Sequence, residues 1–393
     1  MEPHIEILKD LVAFDTTSHK SNLMMIDYIR AKLAVCHGVR THLDMNADGT
    51  KANLIASIGP EVDGGILLSG HTDVVPVDGQ AWDTDPWTLT QKADGFLYGR
   101  GTTDMKGFVA CVLSQVEAWS TSKLTKPIHL VFSFDEEVGC KGVITAIDVL
   151  KAQHIKPDLC IVGEPTEMQM AVAHNSRAKI WFNASATGGH ASKYNDPTIT
   201  SAHDVMTVLS GTLMRTRGEY GALLGDEMLG HASMASTGVK TPYTNNVIPS
   251  GYENHYDFRG RPGITPAALE NFFSHTAHAA VVEYKTLMDK SGHADLTVRV
   301  EMMNPGFKCT DDAAIKMGQL FVGNGEAITV PYVCEAARFW DAGFVKTIVV
   351  GPGNILQAHQ PNEYIDPAQL KACNDFLGRV VASITAPSQA PAP

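Results

Sequence analysis

Residues 66–73 read Ile66-Leu67-Leu68-Ser69-Gly70-His71-Thr72-Asp73. An apolar run this short, closed by Gly, predicts a buried strand over 66–69. In α/β sheets, sites are built outside the carboxyl ends of such strands, which is where His71 and Asp73 are delivered. A second polar cluster, Gly99-Arg100-Gly101-Thr102-Thr103-Asp104-Met105-Lys106-Gly107, opens a helix predicted over 105–118. Pro127 precedes a strand over 128–134 that ends in Asp135-Glu136-Glu137. A strand over 159–162 ends in Gly163-Glu164-Pro165-Thr166, and one over 347–350 runs into Gly351-Pro352-Gly353, with His359 beyond. Strand–helix–strand alternation with apolar strands predicts a mixed, mostly parallel sheet with helices on both faces, an α/β fold.

Outward from this centre, Ile5, Leu8, Leu11 and Val12 fall at helical spacing in 3–14. Met24, Ile26, Ile29 and Leu33 do the same in 21–35. Strands follow at 40–45 and 53–58, and a helix at about 140–152. The stretch 76–98, rich in Trp, Asp, Pro and Gly, reads as a long surface loop near the site. From Lys179 the pattern changes to strand 179–186, helix 199–217, strands 231–239 and 251–259, helix 265–287 and strand 295–302. That order, βαββαβ, is a small ferredoxin-like unit. The α/β pattern resumes after Asn304-Pro305-Gly306 with helices 311–322 and 334–341. The expected organisation is one domain over 1–177 and 305–393, with a second, 178–304, inserted into it. The tail 386–393, built of Pro, Ala, Ser and Gln, reads as disordered.

Composition narrows the function. A formal charge of −12 argues against nucleic acid, which requires a basic face, and against an anionic membrane surface. No apolar run reaches the roughly eighteen residues of a membrane span, and the first residues lack the basic and apolar regions of a signal peptide. Seven scattered Cys, with no C-x-x-C pair, read as free thiols, and the expected location is the cytoplasm.

The strand ends collect His71, Asp73, Asp104, Glu136, Glu137, Glu164 and His359. Singly, each has an ordinary explanation; Asp104, for instance, suits a helix cap. Their recurrence at the ends of four apolar strands points instead to a site. Imidazole and carboxylate ligands without thiolate suit zinc, with cobalt or manganese as substitutes. Two His and three carboxylates exceed what one tetrahedral catalytic ion needs, but suffice for two ions about 3.5–4 Å apart sharing a carboxylate. The adjacent pair Glu136-Glu137 lets one carboxylate ligate while the other moves a proton.

Four stretches together resemble the M20 metallopeptidase and deacylase family: Ser69-Gly70-His71-Thr72-Asp73-Val74-Val75-Pro76, Gly101-Thr102-Thr103-Asp104-Met105-Lys106-Gly107, Asp135-Glu136-Glu137 and Gly163-Glu164-Pro165-Thr166. Residues 82–89, Cys334-Glu335-Ala336 and Ala358-His359-Gln360-Pro361-Asn362-Glu363-Tyr364 extend the likeness over nearly the whole chain. The resemblance implies a zinc-peptidase-like catalytic domain and an inserted lid and dimerisation domain. It implies that His71 and Glu164 bind one ion, Glu137 and His359 the other, and that Asp104 bridges. Asp73 would orient His71 through its far ring nitrogen, and Glu136 would be the general base. His190, in Gly188-Gly189-His190-Ala191-Ser192, would reach the partner's site in a homodimer and stabilise the oxyanion. Asn246, Arg259 and Asn354 match substrate-contacting positions. The implied activity is hydrolysis of the amide of a small N-acyl amino acid, with family desuccinylases, dipeptidases and carboxypeptidases as alternatives. In one departure, the deacetylase branch usually carries His-Lys-Gly where this chain has His174-Asn175-Ser176.

Overall fold

Strand Ile66–His71 is buried at every position, as are Ile128–Ser133 and Leu159–Val162. A strand buried on both faces must be covered on both, and its sequence then runs continuously apolar rather than alternating. The computed structural model describes residues 2–242, 245–323 and 325–386; residues 387–393 of the predicted tail lie outside them. In the central sheet Ile66–His71 pairs in parallel with both Ile128–Ser133 and Leu159–Val162, and Leu159–Val162 in turn pairs in parallel with Thr347–Val349. Antiparallel strands Ala52–Ile58 and Arg40–Met45 extend one side. Because the four central strands run the same way, their carboxyl ends open on one edge of the sheet. His71, Glu136, Glu137 and Glu164 therefore emerge together although up to 93 residues separate them.

The chain divides into two compact units. The first comprises Met1–Ala173, Lys308–Val330 and Cys334–Pro393, and contains the central sheet strands just named. Its core joins Leu8, Leu11, Ile26, Leu68, Phe108, Val109, Leu130, Ile161, Phe376 and Leu377. The second comprises His174–Phe307 and Pro331–Val333. It holds four antiparallel strands in the order Ser233–Lys240, Gly251–Gly260, Ser176–Ala186 and Ala294–Asn304. Burial alternates along Ser176–Ala186, the period of a sheet with one covered face. The buried set, including Ile180 and Phe182, packs with Leu209 and Phe273 of helices Ala202–Arg215 and Pro266–Leu287. The order is βαββαβ with one further helix, Arg217–Leu224.

Several elements differ from the sequence reading. The helix expected over 199–217 starts at Ala202, because the Ser201 hydroxyl accepts from the Asp204 backbone N–H as an N-cap. The loop 76–98 carries two short strands, Thr90–Gln91 and Leu97–Tyr98, the latter paired with Tyr364–Ile365; two-residue strands show no periodicity to read. Strand Ala171–His174 and helix Pro367–Ala382 were not expected. The helix does carry a signal: Asp366 caps it, Pro367 opens it, and Leu370, Cys373, Phe376, Leu377 and Val380 form a buried stripe. All seven cysteines are free thiols. Among the described residues no helix is long and apolar enough to cross a membrane.

Candidate metal centre

His71 ends its strand fully buried, and its ring has two fixed partners. Nδ1 lies 2.9 Å from the Asp73 carbonyl oxygen, so it carries the proton. Nε2 is turned towards Asp104 Oδ1 at 2.9 Å and Glu164 Oε1 at 3.8 Å. The other Asp104 oxygen, Oδ2, lies 3.1 Å from His359 Nε2, which is 2.9 Å from Glu137 Oε2. One carboxylate thus divides its two oxygens between two imidazoles, each with a glutamate beside it. His71, Asp104 and Glu137 form one cluster whose candidate ligand atoms lie within 4.8 Å of one another, and His71, Glu136 and Glu164 form another. Asp104 does not cap the helix that starts at Gly107; its side chain makes no capping hydrogen bond there.

The donor set fits divalent cations. Atoms bound to one ion at about 2.0–2.2 Å sit roughly 3 Å apart, the spacing seen between these side chains. Glu164 Oε1 is buried without a hydrogen-bond partner, a costly state for a carboxylate oxygen unless a cation satisfies it. Electrostatics agree. Burial pushes the Glu136 carboxyl up to about 8, with Glu137 adding to the shift. Burial, then the charge of Asp104, pushes Glu137 up to about 7. Hydrogen bonds to Asp104 and Glu137 lift the His359 imidazole to about 11. Burial would raise Asp104, but the two imidazoles hold it well below the usual carboxylate range. So many buried acids against two imidazoles leave a negative cluster that divalent ions would neutralise.

Asp73 meets the Nδ1 of His71 chiefly through its backbone. Its carbonyl, not its carboxylate, meets His71; the nearer carboxylate oxygen is 3.6 Å from Nδ1. The carboxylate accepts instead from the backbone N–H of Glu136 at 3.0 Å and Glu137 at 3.3 Å, and from the Ser18 hydroxyl at 2.7 Å. Two N–H groups of a turn just past a strand end have no ladder partner, and this carboxylate supplies one. It holds the turn carrying both glutamates against the strand carrying His71. Glu136 also accepts from the Cys140 thiol at 3.0 Å.

The remaining expected residues have local partners. Asn354, at the head of a short 3-10 turn, uses its side chain to cap Leu356 N–H and so is committed locally. In the second unit His190 Nδ1 meets the Ser192 hydroxyl at 2.8 Å and Nε2 lies 3.3 Å from Asn246 Nδ2. Arg259 Nε donates to Asp257 at 2.7 Å, and Arg177 Nε donates to the same carboxylate at 2.8 Å.

Three supporting groups lie in stretches that carry the resemblance but had no role assigned from the sequence. Buried Glu335 accepts from the Ser69 and Ser133 hydroxyls at 2.6 and 2.7 Å, tying adjacent strands beneath the site. Buried Glu363 accepts from the backbone N–H groups of Gly101, Thr103 and Asp104 at 2.9–3.0 Å, and from Arg100 at 2.7 Å. Gly163 leaves room for the Phe108 ring, which a Cβ would meet at 2.1 Å. Gly163→Ala should therefore lower the unfolding free energy by about 1–3 kcal/mol, read from urea midpoints; an unchanged midpoint would show that the ring moves aside freely.

Residues 67–383 match the family model described as Peptidase family M20/M25/M40. The acetylornithine deacetylase of Proteus mirabilis (strain HI4320) is 33% identical over 340 residues, 84% of this chain and 82% of its own length. That of Yersinia pseudotuberculosis serotype O:1b (strain IP 31758) is 32% identical over 400 residues, 97% of each chain. Among solved structures, the Bacillus subtilis YXEP protein, described as a dinuclear metal binding peptidase from the M20 family, has the same fold, with a TM-score of 0.70 at 14% identity over 97% of both chains. With the family model spanning most of its length, this chain belongs to the M20/M25/M40 peptidase family of hydrolases.

Proposed function

We propose that this chain hydrolyses the amide bond of an N-acyl amino acid, N²-acetyl-L-ornithine to L-ornithine and acetate before others. The observation that carries the reading is the Asp104 carboxylate, shared between His71 and His359 with Glu136 on the adjoining turn. His71 and Glu164 would hold one divalent ion, Glu137 and His359 a second, and Asp104 both, with zinc favoured over cobalt or manganese. When bound, such ions polarise a carbonyl and supply a nucleophilic water near neutral pH. Glu136 takes a proton from the attacking water as its oxygen bonds to the amide carbon. The C–N bond then breaks towards nitrogen, and Glu136 returns the proton to the leaving amine. We assign His190 to the oxyanion, in a cytoplasmic homodimer whose inserted unit serves as lid and dimerisation surface, and Asn246, Arg259 and Asn354 to substrate contact. The acetylornithine deacetylases that are 30% or more identical support the substrate. His174-Asn175-Ser176 is where the substrate could depart from theirs.

The test is a panel of N-acetyl, N-succinyl and N-formyl amino acids given to the zinc-loaded protein, with free amine as the readout. The expected result is the highest kcat/KM on N²-acetyl-L-ornithine. A higher value on N-succinyl-diaminopimelate or on dipeptides would move the assignment to a desuccinylase or a dipeptidase. No amine from any member would sink the amidohydrolase reading.

A further inference from the structure

His359 differs from the other expected ligands. Its side chain is half exposed, its backbone φ is +62°, and no strand carries it. Its backbone is held by a chain of side chains that begins in the loop 76–98 and runs through Arg100 and Glu363. Gln80 Nε2 donates to the His359 carbonyl oxygen at 3.2 Å. Gln80 Oε1 accepts from Arg100 Nη2 at 2.6 Å and from Trp82 Nε1 at 3.1 Å. Two donors on one end of the amide and a carbonyl on the other fix which way it points. Arg100, fully buried with its guanidinium 5.1 Å from the Trp82 ring centre, gives its other arm to Glu363 Oε2 at 2.7 Å. Glu363 in turn grips the backbone N–H of Asp104. A continuous path therefore runs from the backbone carbonyl of His359 to the backbone N–H of Asp104.

We propose that Gln80, Arg100 and Glu363 are positioning residues that set how tightly the His359 side of the centre holds its ion. The inference rests on the metal-centre reading above. Arg100 is suited to the middle place because its planar guanidinium presents donors on separate nitrogens in a fixed fork, whereas a lysine offers all of its donors from one atom on a flexible stem. Gln80 is suited to the end because an amide accepts and donates through opposite atoms. Without Gln80 the His359 carbonyl loses this side-chain donor, while the neighbouring bond from the Asp83 backbone N–H to Asn362 remains. The ion His359 shares with Glu137 and Asp104 should then weaken about 10–100-fold, the usual cost of losing a group that orients a ligand. The ion at His71 and Glu164, carried on strands, should not change.

The experiment is a titration of the metal-free protein with Co²⁺, followed by visible absorption and calorimetry, for wild type, Gln80→Ala and Gln80→Glu. Gln80 is half-buried, so neither variant is expected to unfold. Wild type should take up two ions in resolvable steps. Both variants should weaken one step by about 10–100-fold and leave the other within about threefold. Gln80→Glu decides between positioning and packing: its carboxylate still accepts from Arg100 but cannot donate to the His359 carbonyl. If Gln80→Glu titrates like wild type, or Gln80→Ala keeps both steps, the positioning role is wrong while the metal centre stands. Uptake of no cobalt by wild type would overturn both.

Discussion

Glu136→Gln should retain its metal and lose about 10²–10⁴-fold in kcat, the usual contribution of a general base. Gln has the same shape, and the backbone N–H of residue 136 would still be held by Asp73, so the turn should keep its place. What disappears is the oxygen that takes the proton. Buried Glu136 is held up to about 8 in the absence of cations, first by burial and then by Glu137, and positive charge alongside would favour the ionised form a base requires. Steady-state kinetics with elemental analysis of the same sample check this. If the variant loses metal and added zinc restores its activity, Glu136 and Glu137 have exchanged roles.

Asp104→Ala should do more damage, because one side chain faces both imidazoles. Removing it takes a ligand from each expected ion and leaves His71 and His359 without the carboxylate between them. Loss of metal-derived transition-state stabilisation, several kcal/mol, corresponds to a rate loss on the order of 10³-fold or more. Both ions should bind far more weakly, unlike the single weakened step expected for Gln80. Calorimetric metal titration beside kcat measurement separates the cases. A variant that still binds two ions at wild-type affinity would remove Asp104 from its shared position.

The sheet edge that carries the candidate site was legible because its signals are local. Ile66–Ser69 is a short apolar run closed by Gly70, and the parallel strand rule places His71, Glu136 and Glu164 on one edge without knowledge of any contact. The second unit was legible for the same reason, since alternation along 176–186 and helical spacing in 266–287 are visible within each segment. The supporting carboxylates were not. Glu335 meets Ser69 across 266 residues, and Glu363 meets Asp104 across 259; nothing near either residue marks it as buried. Asp73 was assigned to His71 by the resemblance alone; that its carboxylate also holds the backbone N–H groups of the next strand's turn depends on contacts 63 and 64 residues away. Helix 367–382, not expected from the sequence, does carry a local signal in its Asp366-Pro367 start and apolar stripe.

The most direct test of the account is metal stoichiometry against activity. Protein stripped with a strong chelator and reloaded stepwise with zinc should be inactive at zero, gain amide hydrolysis as ions bind, and reach its plateau at two ions per chain. Activity that survives complete removal of metal, or a protein that takes up no divalent ion at the plateau of its activity, would contradict it.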